Sequence, residues 1–180
     1  MLKVISFPKN ESPKQITNIW QILRNAEGEE SAALPSGKVI VPFSWWLARG
    51  RRHEFSQRII NQDIGVWFSA DDDVLAHANI ILEDQDLWSV IAVDFPVFRD
   101  GRGFSTATLL RQRLGWSGEL QAIGDVLIDQ LLQLSRVGFD TFVLRHDQNI
   151  ENGLKQFDLY GVSFQNDWRS NRTLLSQVNL

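Results

Sequence analysis

The chain has 180 residues, 43% hydrophobic and 22% charged, a size and composition that predict one soluble domain with a single core. It contains no cysteine, which excludes disulfides, cysteine-bound zinc or iron–sulfur clusters, and a thiolate nucleophile. Any redox role therefore requires a bound cofactor or a partner. The formal net charge of −4 argues against nonspecific binding to nucleic acid.

Localisation can be predicted from two further features of the sequence. No apolar run approaches the roughly 20 residues that a membrane helix needs. The apolar core of the first segment, MLKVISFPKNESP, is too short for a signal peptide. We therefore expect a cytoplasmic protein with neither a membrane nor a nucleic-acid partner.

Residues 1–34 are interpreted as an N-terminal extension that packs on a single α/β domain formed by residues 35–180. The segment from Asn25 to Gly37 is rich in small, acidic and turn-forming residues, which is typical of a soft boundary. Before it, the runs KVISF and QITNIWQIL fit strand and helix alike. The extension is thus either a hairpin or a strand and a helix.

Five short apolar runs predict buried strands. They are Val39–Val41, Ile64–Phe68, Val90–Val93, Leu120–Ile123 and Thr141–Leu144. Helical patterns separate them, and strands that alternate with helices favour right-handed crossovers and a parallel sheet.

Helix starts and stops can be placed from capping residues. Ser44 begins the helix after the first strand. Ser105 caps and Gly115 ends the helix after the third strand, and Asp125 caps and Gly138 ends the helix after the fourth.

Five strands are too few to close an eight-stranded barrel, which leaves an open doubly wound sheet or a partial barrel. We favour half of a TIM-like barrel, because each strand is followed directly by its helix and no dinucleotide motif marks a reversal of strand order. The exposed edges of such a sheet need covering, which predicts a homodimer.

Polar residues collect at the predicted carboxyl ends of the strands, the edge at which parallel α/β folds bind ligands. They are Ser44, Asp71–Asp73, Asp94, Gly124 with Asp125, and Arg145 with His146. Taken singly, Ser44, Asp71 and Asp125 are more simply explained as helix caps.

The loop from Asp100 to Ser105 places two glycines around Arg102 between a strand and a helix. Backbone N–H groups and a guanidinium in this arrangement can bind an anion. The alternative is that Asp100 and Arg102 pair with each other or with neighbours and hold a tight turn in which the glycines have positive φ. The loop is neither a dinucleotide fingerprint nor a Walker loop, since Thr106 stands at the third glycine position and no Gly-Lys-Ser/Thr occurs.

Candidate binding residues follow from these patterns, with Gln130 added because it can face the same edge from the following helix. Arg102, Arg111 or Arg145 would meet a small anion, and Asp94, Asp125 or His146 would handle protons. The full candidate set is Asp94, Asp100, Gly101, Arg102, Gly103, Ser105, Arg111, Asp125, Gln130, Arg145 and His146. No set of these residues forms a recognisable catalytic constellation, and no cofactor can be assigned.

No metal site is assigned. Asp73 and His77 stand four residues apart and can share a helical face, but two ligands do not close a site. An acidic run at a helix start is better explained by complementing the helix dipole.

A long motif resembles a bacterial domain-of-unknown-function family, family 934, whose members are typically encoded beside assimilatory sulfite reductase. The resemblance runs from Pro35 to about Asp158 and implies a role in sulfite reduction or its supply, without catalytic residues to transfer. Val137 stands where many relatives have cysteine, so a thiol role at that position is not expected. The residues that carry the resemblance are Phe95, Pro96, Phe98, Asp100, Gly101, Arg102, Gly103, Ser105, Arg111, Gly115, Gly118, Glu119, Leu120, Gly124, Asp125, Asp129, Gln130, Gly138, Phe139 and Asp140.

Two functional hypotheses remain. The favoured one is an accessory or regulatory protein that contacts sulfite reductase or its electron donor. The alternative is a small-anion or cofactor-binding enzyme, for example an oxidoreductase, with its site at the carboxyl ends of the strands.

Overall fold

The computed structural model describes residues 3–24, 34–50, 53–159 and 166–169. In these ranges, eight strands form one sheet in the order β2-β1-β8-β7-β6-β5-β4-β3. Their bounds are β1 Lys3–Ser6, β2 Lys14–Ile16, β3 Gln21–Ile22, β4 Val39–Pro42, β5 Ile64–Phe68, β6 Val90–Phe95, β7 Glu119–Val126 and β8 Thr141–Leu144.

Strands β3 to β8 are parallel and follow one another across the sheet in chain order. All five predicted strands are confirmed among them. Because the strand order never reverses, right-handed crossovers place successive helices on the same face. The fold is therefore the partial-barrel α/β arrangement and not a doubly wound sheet.

The sheet curls strongly, as the linkage between its two edges shows. β2 and β3 are the edge strands, yet only Thr17 to Trp20 lie between them in the chain. Five Cα–Cα steps reach at most about 18 Å. Seven strand spacings in a flat sheet would separate the same edges by about 34 Å. Only a half-barrel allows this connection.

Two apolar layers cover the two faces of the half-barrel. On the convex face, strand residues such as Phe68, Val93 and Leu120 join the larger core cluster with the helices. On the concave face, Ala92 and Ile123 pack in a smaller cluster with Trp20, which comes from the connection between the edge strands.

The α-helices of the described ranges are short, and all but the last, which follows β8, lie between strands in the chain. They are α1 Phe43–Trp45, continued by a π-turn at Trp46–Gly50, α2 Ser56–Ile60, α3 Ala78–Asp84, α4 Arg102–Gln112, α5 Leu131–Val137 and α6 Ile150–Lys155. Within the described ranges, none of them combines the length and the apolar character that crossing a bilayer requires.

The predicted helix stops are confirmed, but three predicted starts are wrong. Gly115 and Gly138 adopt φ of +70° and +117°. Helix α4 begins three residues before Ser105, and α1 begins before Ser44. Asp125 lies inside β7, and α5 starts after a 3-10 turn at Ile128–Gln130. Asp71 does not cap a helix either, since the chain makes turns until α3 begins at Ala78.

The N-terminal residues form a hairpin, one of the two predicted alternatives, and also contain a strand that was not predicted. β1 pairs antiparallel with both β2 and β8, and β3 adds a sixth parallel strand beside β4. The run QITNIWQIL is therefore strand, connection and strand, and not a helix. Most of the predicted boundary segment, residues 25–33, and most of the residues after 159 lie outside the described residues.

Candidate functional site

The carboxyl edge of the parallel strands collects most of the predicted site residues. The segments after β3, β5, β6, β7 and β8 meet there and are joined by ion pairs between their side chains. Arg111 is the exception among the candidates, since it lies at the opposite end of the sheet.

A buried carboxylate marks the centre of this edge. Asp94, at the end of β6, is only 7% exposed and is bound by both terminal nitrogens of Arg24, at 3.0 and 2.5 Å. The side-chain hydrogen bond to Asp94 raises the pKa of Arg24. The guanidinium also lies 5.5 Å above the ring of Trp67, whose indole N–H donates to the carbonyl of Leu23. Arg24 is thus locked by an ion pair and an aromatic ring.

Gly124 allows β7 to pass close to this ion pair. Its φ is +93°, and a Cβ at this position would lie 2.4 Å from the carbonyl oxygen of Phe95 and 2.6 Å from Oδ1 of Asp94. Beside it is a shallow pocket of about 300 Å³, lined by Arg24, Asp94, Phe95, Pro96, Gly124 and Asp125.

A second ion-pair group joins the ends of β7 and β8. Arg145 donates to Asp125 at 2.8 Å and to both oxygens of Asp147 at 2.7 and 2.8 Å. The hydrogen bonds to Asp147 and then Asp125 raise the pKa of Arg145, and the hydrogen bonds from Arg145 and then Gln148 lower the pKa of Asp147. His146, beside them, is exposed, and its carbonyl accepts a hydrogen bond from Lys3.

The loop between β6 and α4 is held by two side chains that bind the N–H and the carbonyl of one residue, Phe98. Asp125 accepts a hydrogen bond from the backbone N–H of Phe98 at 2.8 Å, and Gln130 donates to the carbonyl of Phe98 at 2.6 Å. The backbone N–H of Asp100 closes a turn onto the carbonyl of Val97. Despite these restraints, the side chains of Val97 and Phe98 remain 51% and 44% exposed. We call Val97 and Phe98 the apolar tip.

The glycine loop shows the internal pairing that was the alternative to anion binding. Arg102 donates twice to Asp100 from Nε and once from Nη2, and its Nη1 bonds to Asp71. These hydrogen bonds raise the pKa of Arg102 and lower that of Asp100. The alternative is wrong in one respect, because neither Gly101 nor Gly103 has positive φ.

The two glycines of this loop differ in their surroundings. A Cβ on Gly103 would meet the ring of Phe95 at 2.6 Å, whereas one on Gly101 would have no neighbour within 4 Å. Gly103 therefore permits close packing of α4 on β6. Ser105 lies in the first turn of α4 and is exposed.

A family model described as "Bacterial protein of unknown function (DUF934)" matches residues 65–175. The chain belongs to this family. No curated protein and no solved structure matches the chain.

The DUF934 match defines which part of the edge is shared with the family. It starts inside β5 and contains Asp94, the apolar tip and the two residues that restrain it, Asp125 and Gln130. Arg24 lies before the matched range. Sequence reasoning missed Arg24, because a single arginine after a two-residue strand has no pattern that distinguishes it.

Arg111 has a different position and a different role from the other DUF934 candidates. Its side chain is 1% exposed, and its five N–H groups donate to the carbonyls of Trp116, Gly118 and Gly138 and to Asp140. Burial lowers the pKa of Arg111, and the charge and hydrogen bond of Asp140 oppose this shift. All its donors are used, so this guanidinium joins two loops to α4 and offers no N–H to an external anion.

Proposed function

We propose that this chain is a non-catalytic accessory or regulatory protein of assimilatory sulfite reduction that binds sulfite reductase through its apolar tip. The observation that carries the proposal is the combination of exposed Val97 and Phe98 side chains with a backbone fixed by Asp125 and Gln130. An apolar side chain on a fixed backbone brings no backbone ordering cost when a partner covers it. Aromatic anchors of this kind contribute much of the affinity of protein interfaces.

The charges around the apolar tip support a protein partner over a small anion. Arg24, Arg102 and Arg145 each have one or two carboxylate partners within the protein. An incoming sulfite or phosphate would have to displace those carboxylates and would meet their negative charge. At an interface, paired charges on the rim instead favour correct orientation of a partner.

The link to sulfur metabolism rests on the resemblance of the sequence to a family whose genes typically lie beside those of assimilatory sulfite reductase. Sulfite reductase is the proposed partner, and its electron donor is the competing one. The protein acts in the cytoplasm in this proposal, and it functions as a homodimer.

A small-molecule site is the second candidate function, and the pocket beside Asp94 is the observation that favours it. The pocket has a buried carboxylate at its base and a volume at the lower end of the range for ligand sites. A ligand that binds the carboxylate of Asp94 would have to compete with Arg24, which binds both of its oxygens. A thermal-shift panel of sulfite, sulfate, phosphate, flavins and nicotinamide cofactors tests this candidate, since a ligand of the native state raises the unfolding temperature. If no compound stabilises the protein, this candidate is rejected.

Growth on a defined sulfur source tests the accessory role. A deletion strain is expected to grow poorly on sulfate and normally on cysteine, and the wild-type gene is expected to restore growth on sulfate. Phe98→Asp is expected not to restore it, because a charge at the tip opposes burial against a partner.

Ile60→Asp is the matched control for this experiment. Ile60 is 73% exposed on α2, outside the apolar tip, so its variant is expected to restore growth. Normal growth of the deletion strain on sulfate would remove the link to sulfite reduction. Restoration by Phe98→Asp would instead leave that link and reject the tip as the binding surface.

A further inference from the structure

A second cavity lies at the amino end of β7 and β8, at the opposite end of the sheet from the apolar tip. Its volume is about 410 Å³, which falls within the range of small-molecule sites. Three distant parts of the chain build its walls: the segment around β1 and β2, the loop before β7, and the start of β8. Trp168 lines it as well.

The frame of this cavity is fixed by Arg111. The guanidinium binds the carbonyls of Trp116, Gly118 and Gly138, so it ties the loops before β7 and β8 to α4. The ring of Trp168 lies 4.7 Å from this guanidinium, and Nζ of Lys9 lies 5.0 Å from the same ring. Arg111, Trp168 and Lys9 therefore each have a contact partner in the wall of the cavity.

Two carboxyl groups face the cavity with part of their hydrogen-bonding capacity unused. One oxygen of Glu119 accepts from the hydroxyl of Thr141 at 2.6 Å. One oxygen of Asp140 accepts from Arg111 at 2.5 Å and from the backbone N–H of Leu120 at 3.0 Å. Among the residues that the structure describes, the second oxygen of each group receives no hydrogen bond.

The positive charges and hydrogen bonds around Glu119 and Asp140 do not fully offset the effect of burial on the pKa of either group. Burial raises the pKa of Glu119, and the charge of Asp140 raises it further against the Thr141 hydrogen bond and the charge of Lys38. Burial likewise raises the pKa of Asp140, although Arg111, the backbone N–H of Leu120 and the charge of Arg169 oppose the shift. A ligand that supplies N–H donors and positive charge would relieve both effects.

We propose that this cavity binds a small organic molecule through a protonated amine that donates hydrogen bonds to Glu119 and Asp140. An ammonium group has three N–H donors and no acceptor, which matches two carboxylate oxygens on one wall. The Trp168 ring, Pro8 and Ile16 give the rest of the molecule an apolar wall.

Two other ligand classes fit the cavity less well. An anion would meet two carboxylates, and the buried guanidinium of Arg111 has no N–H left to donate, which leaves it Lys9 as the one lining cation with free donors among the described residues. A divalent metal ion needs more ligands, and no group of three histidine, aspartate or glutamate side chains suited to a metal occurs in the described ranges.

Titration of the isotopically labelled protein with butylamine, monitored by NMR, tests the proposal. Butylamine is expected to shift the backbone amide of Glu119 and the indole N–H of Trp168 in a saturable manner, with the indole assigned by Trp168→Phe. Butan-1-ol, which has the same tail and no charge, is expected to produce no saturable shift. Glu119→Gln is expected to weaken butylamine binding about tenfold or more.

Glu11→Gln is the matched control, because Glu11 is an exposed glutamate paired with Lys14 and does not line the cavity. It is expected to leave butylamine binding unchanged. Absence of a saturable butylamine shift in the wild type would overturn the proposal. Equal binding of butan-1-ol, or unchanged binding by a folded Glu119→Gln variant, would overturn it as well. If Glu119→Gln does not fold, Asp140→Asn is used for the same comparison.

Discussion

Gly124 shows how a single residue shapes the candidate site. Its positive φ places the backbone of β7 against Asp94, where any side chain would collide with the carbonyl of Phe95. The pairing between β7 and β8 is irregular over Ala122–Val126, which is typical of a bulge. The glycine therefore allows the Arg24–Asp94 ion pair and the restraint by Asp125 to lie side by side.

Gly124→Ala is expected to lower the free energy of unfolding by about 2–4 kcal/mol, through left-handed strain and overpacking together. Gly115→Ala is the control, since Gly115 has φ of +70° and open space around its Cα. Only the strain applies there, and the expected loss is about 1 kcal/mol. Urea unfolding of both variants gives the comparison. Equal losses would show that contact with Asp94 and Phe95 is unimportant.

Glu119 provides a prediction on pH dependence. Because burial raises its pKa above the ordinary 4.5, the folded protein holds this proton more tightly than the unfolded chain does. The favourable contribution of Glu119 is complete below its unfolded pKa and is lost as the pH rises through its folded pKa. Glu119→Gln, which cannot ionise, should therefore gain stability relative to the wild type as the pH rises.

Thermal unfolding at acidic and neutral pH checks this. The variant is expected to unfold at a higher temperature than the wild type at pH 7, and the difference should shrink at pH 4. A difference independent of pH would mean that ionisation of Glu119 costs the fold nothing.

Several residue roles depend on partners that are distant in sequence. The pattern of α4 predicts that Arg111 lies on a helix, but the three carbonyls that it binds come from two loops. Arg102 and Asp100, in contrast, are two residues apart, and their pairing was among the alternatives available from sequence. Local pairs can be predicted in this way, and long-range ones cannot.

At the scale of elements, the β6–α4 loop depends on β7 and on the turn that follows it. Asp125 has the sequence context of a helix cap, yet β7 continues through it to Val126, and its carboxylate binds Phe98 and Arg145 instead. Capping propensity reflects only whether a side chain can accept hydrogen bonds from backbone N–H groups that are nearby in the sequence. The loop that actually supplies the N–H lies 27 residues earlier.

Asp125→Ala is expected to speed hydrogen exchange at the amide of Phe98, because the acceptor of its hydrogen bond is removed. Asp129→Ala is the control, since Asp129 is exposed in the adjacent 3-10 turn. Exchange measured by NMR should rise only in the first variant. Unchanged exchange at Phe98 in Asp125→Ala would show that the tip is not held by this side chain, and the argument for a rigid anchor would fail.

The strands and the helix stops were predictable because they follow from local composition. Buried parallel strands are continuous apolar runs, and a left-handed position at a helix end strongly favours glycine. β3 was missed because a strand of two residues is too short to show a hydrophobic periodicity. Its place in the sheet depends on pairing with β4 and on the short connection from β2.

At the scale of the whole molecule, the half-barrel gives the protein two separate polar ends. Paired arginines and the apolar tip lie at the carboxyl end, and the cavity with Glu119 and Asp140 lies at the amino end. The extension joins them, since Arg24 reaches Asp94 and Ser6 and Ile16 line the amino-end cavity. A ligand in the amino-end cavity and a partner at the apolar tip would thus both contact segments joined by the same sheet.

Direct binding of purified sulfite reductase from the same bacterium tests the central claim, that the apolar tip binds this enzyme. Biolayer interferometry should show saturable binding to the wild type and to Ile60→Asp, and binding about tenfold weaker or more to Phe98→Asp. Circular dichroism and thermal unfolding confirm that both variants are folded. The account is contradicted if the wild type binds only the electron donor or neither protein, or if folded Phe98→Asp binds the reductase as tightly as the wild type does.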